Sequence, residues 1–201
     1  MENKMSGKDL VQKTLVLIKP DSVKRGLIGE IISRFEKVGL KIVALKMVKL
    51  DKKTAEEFYY SDENWLATVG SKTLTRYREM GLDPKKEFNT DDPKEIGKII
   101  RQWLIDFITS APIVAIVLEG VNSIEEVRKL VGSTEPLKAP PGTIRGDYAH
   151  MSIAYANWNK IVLRNVVHAS ENEKDAMREI FVIFKLEEIY NYTRNIEEVI
   201  Y

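Results

Sequence analysis

The sequence predicts an α+β fold of the split βαβ kind, a four-stranded sheet covered by helices. Two continuous aliphatic runs, Thr14 to Ile18 (TLVLI) and Pro112 to Leu118 (PIVAIVL), read as buried central strands. Each is followed by apolar residues at helical spacing and then by another strand-like segment, which requires crossovers and a shared sheet. The chain has 201 residues, no internal repeat and no low-complexity linker, which fits one domain with elaborations.

The first run stops at Lys19-Pro20-Asp21, a turn signal. Leu27, Ile28, Ile31, Ile32, Phe35 and Val38 then recur at helical spacing, and Gly39 is a suitable stop. Lys41 to Leu50 alternates polar and apolar residues, as a strand with one wet face does. Asp51 to Tyr60 reads as a helix with a candidate capping box at Thr54-Ala55-Glu56-Glu57. Helices are expected over Trp65 to Met80 and from about Pro93 to Ile108, where Ile96, Ile99, Ile100, Trp103, Leu104 and Phe107 form one apolar face. Ser61 to Asp92 is the least readable region, and Gly81 to Pro93 is polar and turn-rich.

The second buried run ends at Glu119-Gly120, and Ser123 to Val131 is an amphipathic helix. Gly132 to Gly146 is a long loop with three prolines, of the sort that is usually functional or disordered. Tyr148 to Trp158 shows no clear period. Ile161 to Ala169 reads as a strand and Glu171 to Lys185 as a helix, opened by the capping-box pattern Ser170-Glu171-Asn172-Glu173. The tail, Leu186 to Tyr201, is rich in Tyr and Glu and is expected to pack on the surface or against a neighbour.

Composition narrows the function classes. Hydrophobic residues make up 44%, enough for a real core, and 31 basic residues balance 30 acidic ones. That balance does not ask for nucleic acid or an anionic membrane as main partner. The absence of cysteine rules out disulfides and thiolate metal sites. The start, MENKMSGKDLVQK, has no apolar core of a signal peptide, and the longest apolar run, Ile113 to Leu118, is too short to span a bilayer. A cytoplasmic protein is expected.

Chemistry points to His168, one of only two histidines. It lies where the last predicted strand gives way to a helix, whose free N–H groups and dipole favour anions. A lone histidine in that place is more often structural. Lys19 closes the first buried strand, where ligands of such sheets bind. Arg128 lies on the helix after the second buried strand, and Arg145 lies in PGTIRGD, held in a Pro/Gly frame. Arg offers a planar fork for phosphate oxygens. Thr134 and Thr143 have hydroxyls for phosphate, although Thr in loops is ordinary turn chemistry. No GxxxxGK[ST] loop, no Gly-x-Ser-x-Gly elbow and no metal-ligand cluster is present, and His150 reads as structural. A neutral imidazole is able to act as nucleophile, with Lys and Arg neutralising a transferring phosphoryl group.

Four segments, LVLIKPDSVKRGLIGEIISRFEKVGLKIVALK, TSAPIVAIVLEG, VRKLVGSTEPLKAPPGTIRGDY and NVVHASENEKDAMREI, taken in that order, resemble the nucleoside diphosphate kinase family over most of residues 14–184. The resemblance implies a ferredoxin-like, four-stranded antiparallel sheet. It also implies a helical insertion at about 61–100, a smaller one at about 149–161, and a C-terminal tail at 186–201, all within one domain spanning 1–201. It implies ping-pong transfer of the γ-phosphate of a nucleoside triphosphate to a nucleoside diphosphate through a phosphohistidine on His168. Glu179 would hold the second imidazole nitrogen, Tyr59 would orient Glu179, and Ser170 would assist at the phosphoryl group. Lys19, Arg128, Thr134 and Arg145 would bind phosphates and ribose, and Asn165 a sugar hydroxyl. Mg²⁺ would be held mainly by the nucleotide phosphates, with no protein metal site. A homohexamer or homotetramer is implied, with neither membrane nor nucleic acid as partner.

Some residues depart from the family pattern. Glu171, Asn172, Glu135 and Phe58 replace Asp, a small residue, Asn and His. Alignment back from Ser110 puts Leu104 and Ile100 at the two base-contacting positions, where the family has an aliphatic residue and a Phe; Trp65 and Trp103 are the other candidate platforms. A catalytically silent nucleotide-binding or scaffolding member is the alternative, favoured only by the insertions.

Overall fold

The computed structural model describes residues 10–200. Most of the polar amino-terminal stretch read above for a targeting signal lies outside the described residues, as does Tyr201 at the end of the tail. In chain order the elements are β1 (Val11–Ile18), α1 (Pro20–Lys24), α2 (Ile28–Lys37), β2 (Lys41–Val48), α3 (Lys52–Phe58), α4 (Glu63–Glu79), α5 (Pro84–Phe88), α6 (Pro93–Thr109) and β3 (Ile113–Val121). They continue with α7 (Ser123–Val131), α8 (Ile144–Tyr148), α9 (Ile153–Trp158), β4 (Val167–Ala169), α10 (Glu173–Ile183) and α11 (Glu197–Ile200). Among the described residues no helix is long and apolar enough to cross a membrane.

The chain forms two compact units. One holds the described residues up to Lys49, Pro112–His150 and the chain from Asn165 on; the other holds Leu50–Ala111 and Met151–Arg164. The first unit contains a four-stranded antiparallel sheet in the order β2-β3-β1-β4. The two strands that were continuous aliphatic runs, β1 and β3, are its centre, paired from Val11↔Val121 to Ile18↔Val114. Burial on both faces is why they lack alternation. Val16, Ile18, Ile116 and Leu118 from the sheet meet Ile31 and Phe35 of α2 and Val127 and Val131 of α7 in one core.

The last strand is shorter than the sequence predicts. The expectation was Ile161 to Ala169, but β4 begins at Val167, because Val166 has φ +72° and breaks the extended chain just before it. Two capping boxes are also corrected. Asp51, not Thr54, caps α3, accepting the Thr54 N–H at 2.7 Å. Asn172, not Ser170, caps α10, accepting the Asp175 N–H at 2.9 Å. In both cases an earlier or later Asx side chain reaches the free N–H first, which Asp and Asn do at least as well as Ser and Thr.

The tail folds back along β2, the edge strand. The Tyr190 N–H donates to Val43 O, the Tyr192 hydroxyl to Ile42 O, and Arg194 to the carbonyls of Gly39 and Leu40. Covering an edge in this way satisfies carbonyls that would otherwise be open to foreign strands. Lys41 Nζ ties the arrangement together, 2.7 Å from Glu119, 3.1 Å from Glu197 and 2.9 Å from Tyr192 O.

The second unit is helical. Its central pair, α4 and α6, touches closely at two glycines: a Cβ on Gly70 would lie 1.7 Å from Pro93 O, and one on Gly97 2.2 Å from Leu66 O. Tyr77 on α4 donates its hydroxyl to Asn157 O in α9, and the enclosed phenol, facing Glu87 as well, is pushed up to about 12.

Candidate active site

His168 is the middle residue of β4, opposite Leu17 of β1. Its Nε2 lies 2.8 Å from Glu179 Oε2, on the second turn of α10. The same oxygen accepts the Ser170 hydroxyl at 2.7 Å, and Ser170 Oγ in turn accepts the Leu15 N–H at 3.3 Å. Arg178 stands 3.4 Å from the other carboxylate oxygen. Glu179 is buried, which by itself would raise its pKa. Its contacts with His168, Ser170 and Arg178 outweigh burial and hold it below the usual range. It is therefore ionised at neutral pH and accepts from an Nε2–H. That tautomer puts the imidazole lone pair on Nδ1.

Ser170 is fully buried, with its hydroxyl given to Glu179. The Ser-x-x-Glu pattern, whose acid is Glu173, thus described neither the cap nor the contact that Ser170 makes.

Lys19, at the end of β1, donates from Nζ to Asn165 Oδ1 at 2.7 Å. Asn165 Nδ2 donates to Thr134 O at 2.8 Å. Arg145 spreads its guanidinium over three backbone carbonyls, donating to Asn165 O (3.2 Å), Gly132 O (3.0 Å) and Val167 O (2.9 Å). Burial, with the charge of Arg145 and against that of Asp21, lowers Lys19 to about 7. Burial, with the charge of Arg128, lowers Arg145 to about 10. Two cations held close together with few anions near them form a site that an incoming polyanion relieves. Arg128 itself is exposed in the last turn of α7.

Thr134, Arg145, Asn165, Lys19, His168, Ser170 and Glu179 are thus all carried by the first unit. Thr143 instead caps α8, accepting the Gly146 N–H at 3.1 Å and donating to Pro140 O, which is ordinary turn chemistry. Tyr59, Ile100 and Leu104 are in the second unit. Tyr59 ends α3, with its carbonyl accepting Arg101 Nε at 2.7 Å and its ring edge-on to Phe58. Ile100 and Leu104 are half-buried, one turn apart on α6. Among the described residues no group of three or more His, Asp and Glu is arranged to hold a metal ion.

Sequence reasoning missed the residues that hold the loop of Arg145. Arg34 on α2 donates to Gly142 O at 2.9 Å, to Asp147 Oδ2 at 2.5 Å and to the Tyr148 hydroxyl at 3.1 Å, while Asp147 Oδ1 accepts the Gly142 N–H at 2.7 Å. An Arg on the wet face of an amphipathic helix gives no local signal of such a partner. It also missed Asp21 and Ser22, which lie within or beside the turn signal after β1 and bond to Val166.

The family model for nucleoside diphosphate kinase matches residues 12–66 and 93–189. A nucleoside diphosphate kinase of Pyrobaculum aerophilum is 54% identical over 179 residues, 89% of this chain and 98% of the relative. The crystal structure of an NDP kinase from that organism superposes with a TM-score of 0.88 at 52% identity, covering 90% of this chain and all of the other. The nucleoside diphosphate kinase of Borrelia burgdorferi, a transition-state mimic with bound vanadate and ADP, superposes with a TM-score of 0.75 at 44% identity, covering 94% and 95% of the two chains. With its sheet, its buried Lys19 and Arg145 and its His168–Glu179 pair, this chain belongs to the nucleoside diphosphate kinase family.

Proposed function

We propose that the chain carries out the family's phosphoryl transfer in two half-reactions through a phosphohistidine on His168. In the first, the Nδ1 lone pair attacks the γ-phosphorus of a nucleoside triphosphate in line. An N–P bond forms as the bond to the β–γ bridging oxygen breaks, and that oxygen leaves with its electron pair on the diphosphate. In the second, the terminal oxygen of another nucleoside diphosphate attacks the same phosphorus and His168 leaves with its lone pair restored. Glu179 keeps Nε2–H hydrogen-bonded throughout and balances the positive charge the ring gains when Nδ1 is phosphorylated. The 2.8 Å contact between His168 Nε2 and Glu179 Oε2 carries this reading, since it makes Nδ1 the nucleophile.

Lys19, Arg128, Thr134 and Arg145 bind the phosphates and ribose, and Asn165 a sugar hydroxyl. Ser170 acts on the phosphoryl group through Glu179, the carboxylate to which it donates. Lys19 and Arg145 offer donors but no acceptor for a cation, a donor set that suits Mg²⁺ arriving with and held by the nucleotide's own phosphates. When bound, that ion neutralises phosphate charge. The vanadate and ADP of the Borrelia relative support nucleotides as the partners. We further propose self-association as a hexamer or tetramer and a cytoplasmic location, where nucleotides are abundant; sedimentation equilibrium separates the two assemblies.

The test is labelling. Incubation with Mg²⁺ and γ-labelled ATP without acceptor should give an acid-labile label that chases onto added GDP or CDP. No label, or a label that survives His168→Asn, overturns the mechanism.

A further inference from the structure

We propose that Asp21 is a positioning residue for phosphoryl transfer: its carboxylate pins a strained turn at Val166 and so fixes His168 relative to Lys19, Asn165 and Arg145. The inference rests on the reading that His168 carries the phosphoryl group.

Val166 is fully buried and has φ +72°. The Val167 N–H donates back to Asn165 O at 2.8 Å, closing a γ-turn with Val166 at its centre. A positive φ makes this the rare, strained form of that turn. For a β-branched residue such a conformation is an outlier that persists only where its surroundings impose it.

The surroundings that impose it come from one corner of the fold. The Val166 N–H donates to Asp21 Oδ2 at 3.1 Å. Val166 O accepts the Lys19 N–H at 2.9 Å and the Ser22 hydroxyl at 2.8 Å. All three partners belong to residues 19–22, the N-cap and first turn of α1 directly after β1. Lys19 would supply its backbone N–H whatever its side chain, so the removable clamps are Asp21 and Ser22, and only Asp21 brings a charged acceptor, the stronger kind. Asp21 Oδ1, the other carboxylate oxygen, is enclosed without a hydrogen-bond partner among the described residues. Its charge also faces the buried Lys19 ammonium and favours the protonated form.

The turn has a geometric consequence. Along an uninterrupted strand, residues 165 and 168 would point to opposite faces of the sheet, because side chains alternate. A single positive-φ residue between them breaks the alternation. Asn165 is then able to join Lys19 and Thr134 while His168 keeps its register with Leu17. The flanking carbonyls of Asn165 and Val167 both go to Arg145. The strained residue is therefore the joint between the phosphate-binding cations and the nucleophile. Displacements of about 1 Å at such a joint cost rate by as much as 10²-fold.

The experiment is a double-mutant cycle read by single-turnover labelling from γ-labelled ATP, with the wild-type protein first. An unlabelled wild type overturns the phosphohistidine reading itself, whereas a labelled wild type opens the test of Asp21. Measured below pH 7, where Lys19 keeps its charge, Asp21→Ala should slow labelling about 10- to 100-fold while nucleotide Kd changes less than threefold. Asp21→Asn, whose carbonyl also accepts the Val166 N–H, should recover most of the rate. On a Val166→Gly background, where the turn needs no clamp because Gly takes positive φ freely, Asp21→Ala should cost less than threefold. If Asp21→Ala folds only together with Val166→Gly, the same coupling is shown. An equal cost of Asp21→Ala on both backgrounds, or a lowered melting temperature with an unchanged labelling rate, overturns the proposal.

Discussion

His168 Nε2 and Glu179 Oε2 are 2.8 Å apart, so a residue of the short strand β4 and one on the second turn of α10 are joined by a hydrogen bond. Their distance is set by the docking of α10 on β1, beside β4, and by Ser170, which bonds both Glu179 and the β1 backbone. Glu179→Gln keeps the size but loses the charge that fixes the tautomer. Labelling of His168 should slow by roughly 10²-fold with nucleotide Kd within threefold, and an equal loss of both would make Glu179 a purely structural residue. The sign of the pH effect is also set. A carboxylate depressed below its ordinary 4.5 adds stability that is full above that value and lost as pH falls through the lower folded one. Acid unfolding of Glu179→Gln should lack this component.

Lys19 titrates near neutrality, at about 7 against an ordinary 10.5. Between those values the unfolded chain binds more protons than the folded one, so this group makes stability rise with pH across that window. Phosphate oxygens favour the charged form, so nucleotide binding above about pH 7 takes up a proton. Affinity should fall with rising pH there, by about tenfold per unit at most, in isothermal titrations. Lys19→Arg, always charged, should flatten the profile.

Arg145 serves as a frame as well as a cation. Its truncation to Ala removes a donor from each of the carbonyls of Gly132, Asn165 and Val167, of which Asn165 O keeps the Val167 N–H. We expect a loss of about 2–4 kcal/mol in urea unfolding together with weakened nucleotide binding. Unchanged affinity would remove Arg145 from the site. Arg145→Lys should recover little, because one ammonium cannot span three acceptors arranged for a planar fork.

Lys41 joins the tail to the sheet through Glu119, Glu197 and Tyr192 O. Lys41→Met should cost about 1.5–3 kcal/mol by urea unfolding and make the chain beyond Ile189 an early site of proteolysis. A tail equally resistant to protease in the variant would show that Lys41 does not hold it.

Gly70→Ala forces α4 and α6 apart, since the new methyl would meet Pro93 O at 1.7 Å. Backbone cannot yield as a side-chain tip does, so the loss should reach about 3 kcal/mol or more, read from thermal melts.

Much of the fold was legible because burial writes itself into local pattern. β1 and β3 were readable as unbroken aliphatic runs, and α2, α6 and α7 as periodic faces, because each element's burial depends on its own residues. The ends of elements were read less well. Caps at α3 and α10 went to Asp51 and Asn172, and the start of β4 to a turn that no local rule gives to a valine. Lys19, Arg145, Asn165, His168, Ser170 and Glu179 were named through the family resemblance together with their element ends. Arg34, Asp21 and Ser22 were not, because their partners are more than a hundred residues away along the chain.

The sequence by itself determined the α+β class, the order of strands and helices, and the chemistry available, one histidine among separated cations, since composition and periodicity are properties of the chain alone. Only the tertiary structure decided which nitrogen of His168 faces Glu179, that Lys19 loses its proton near neutrality, and that Val166 is held at positive φ by Asp21. Each of these depends on distances and dielectric surroundings created when strands from opposite ends of the chain pair, and no local stretch of residues carries that information.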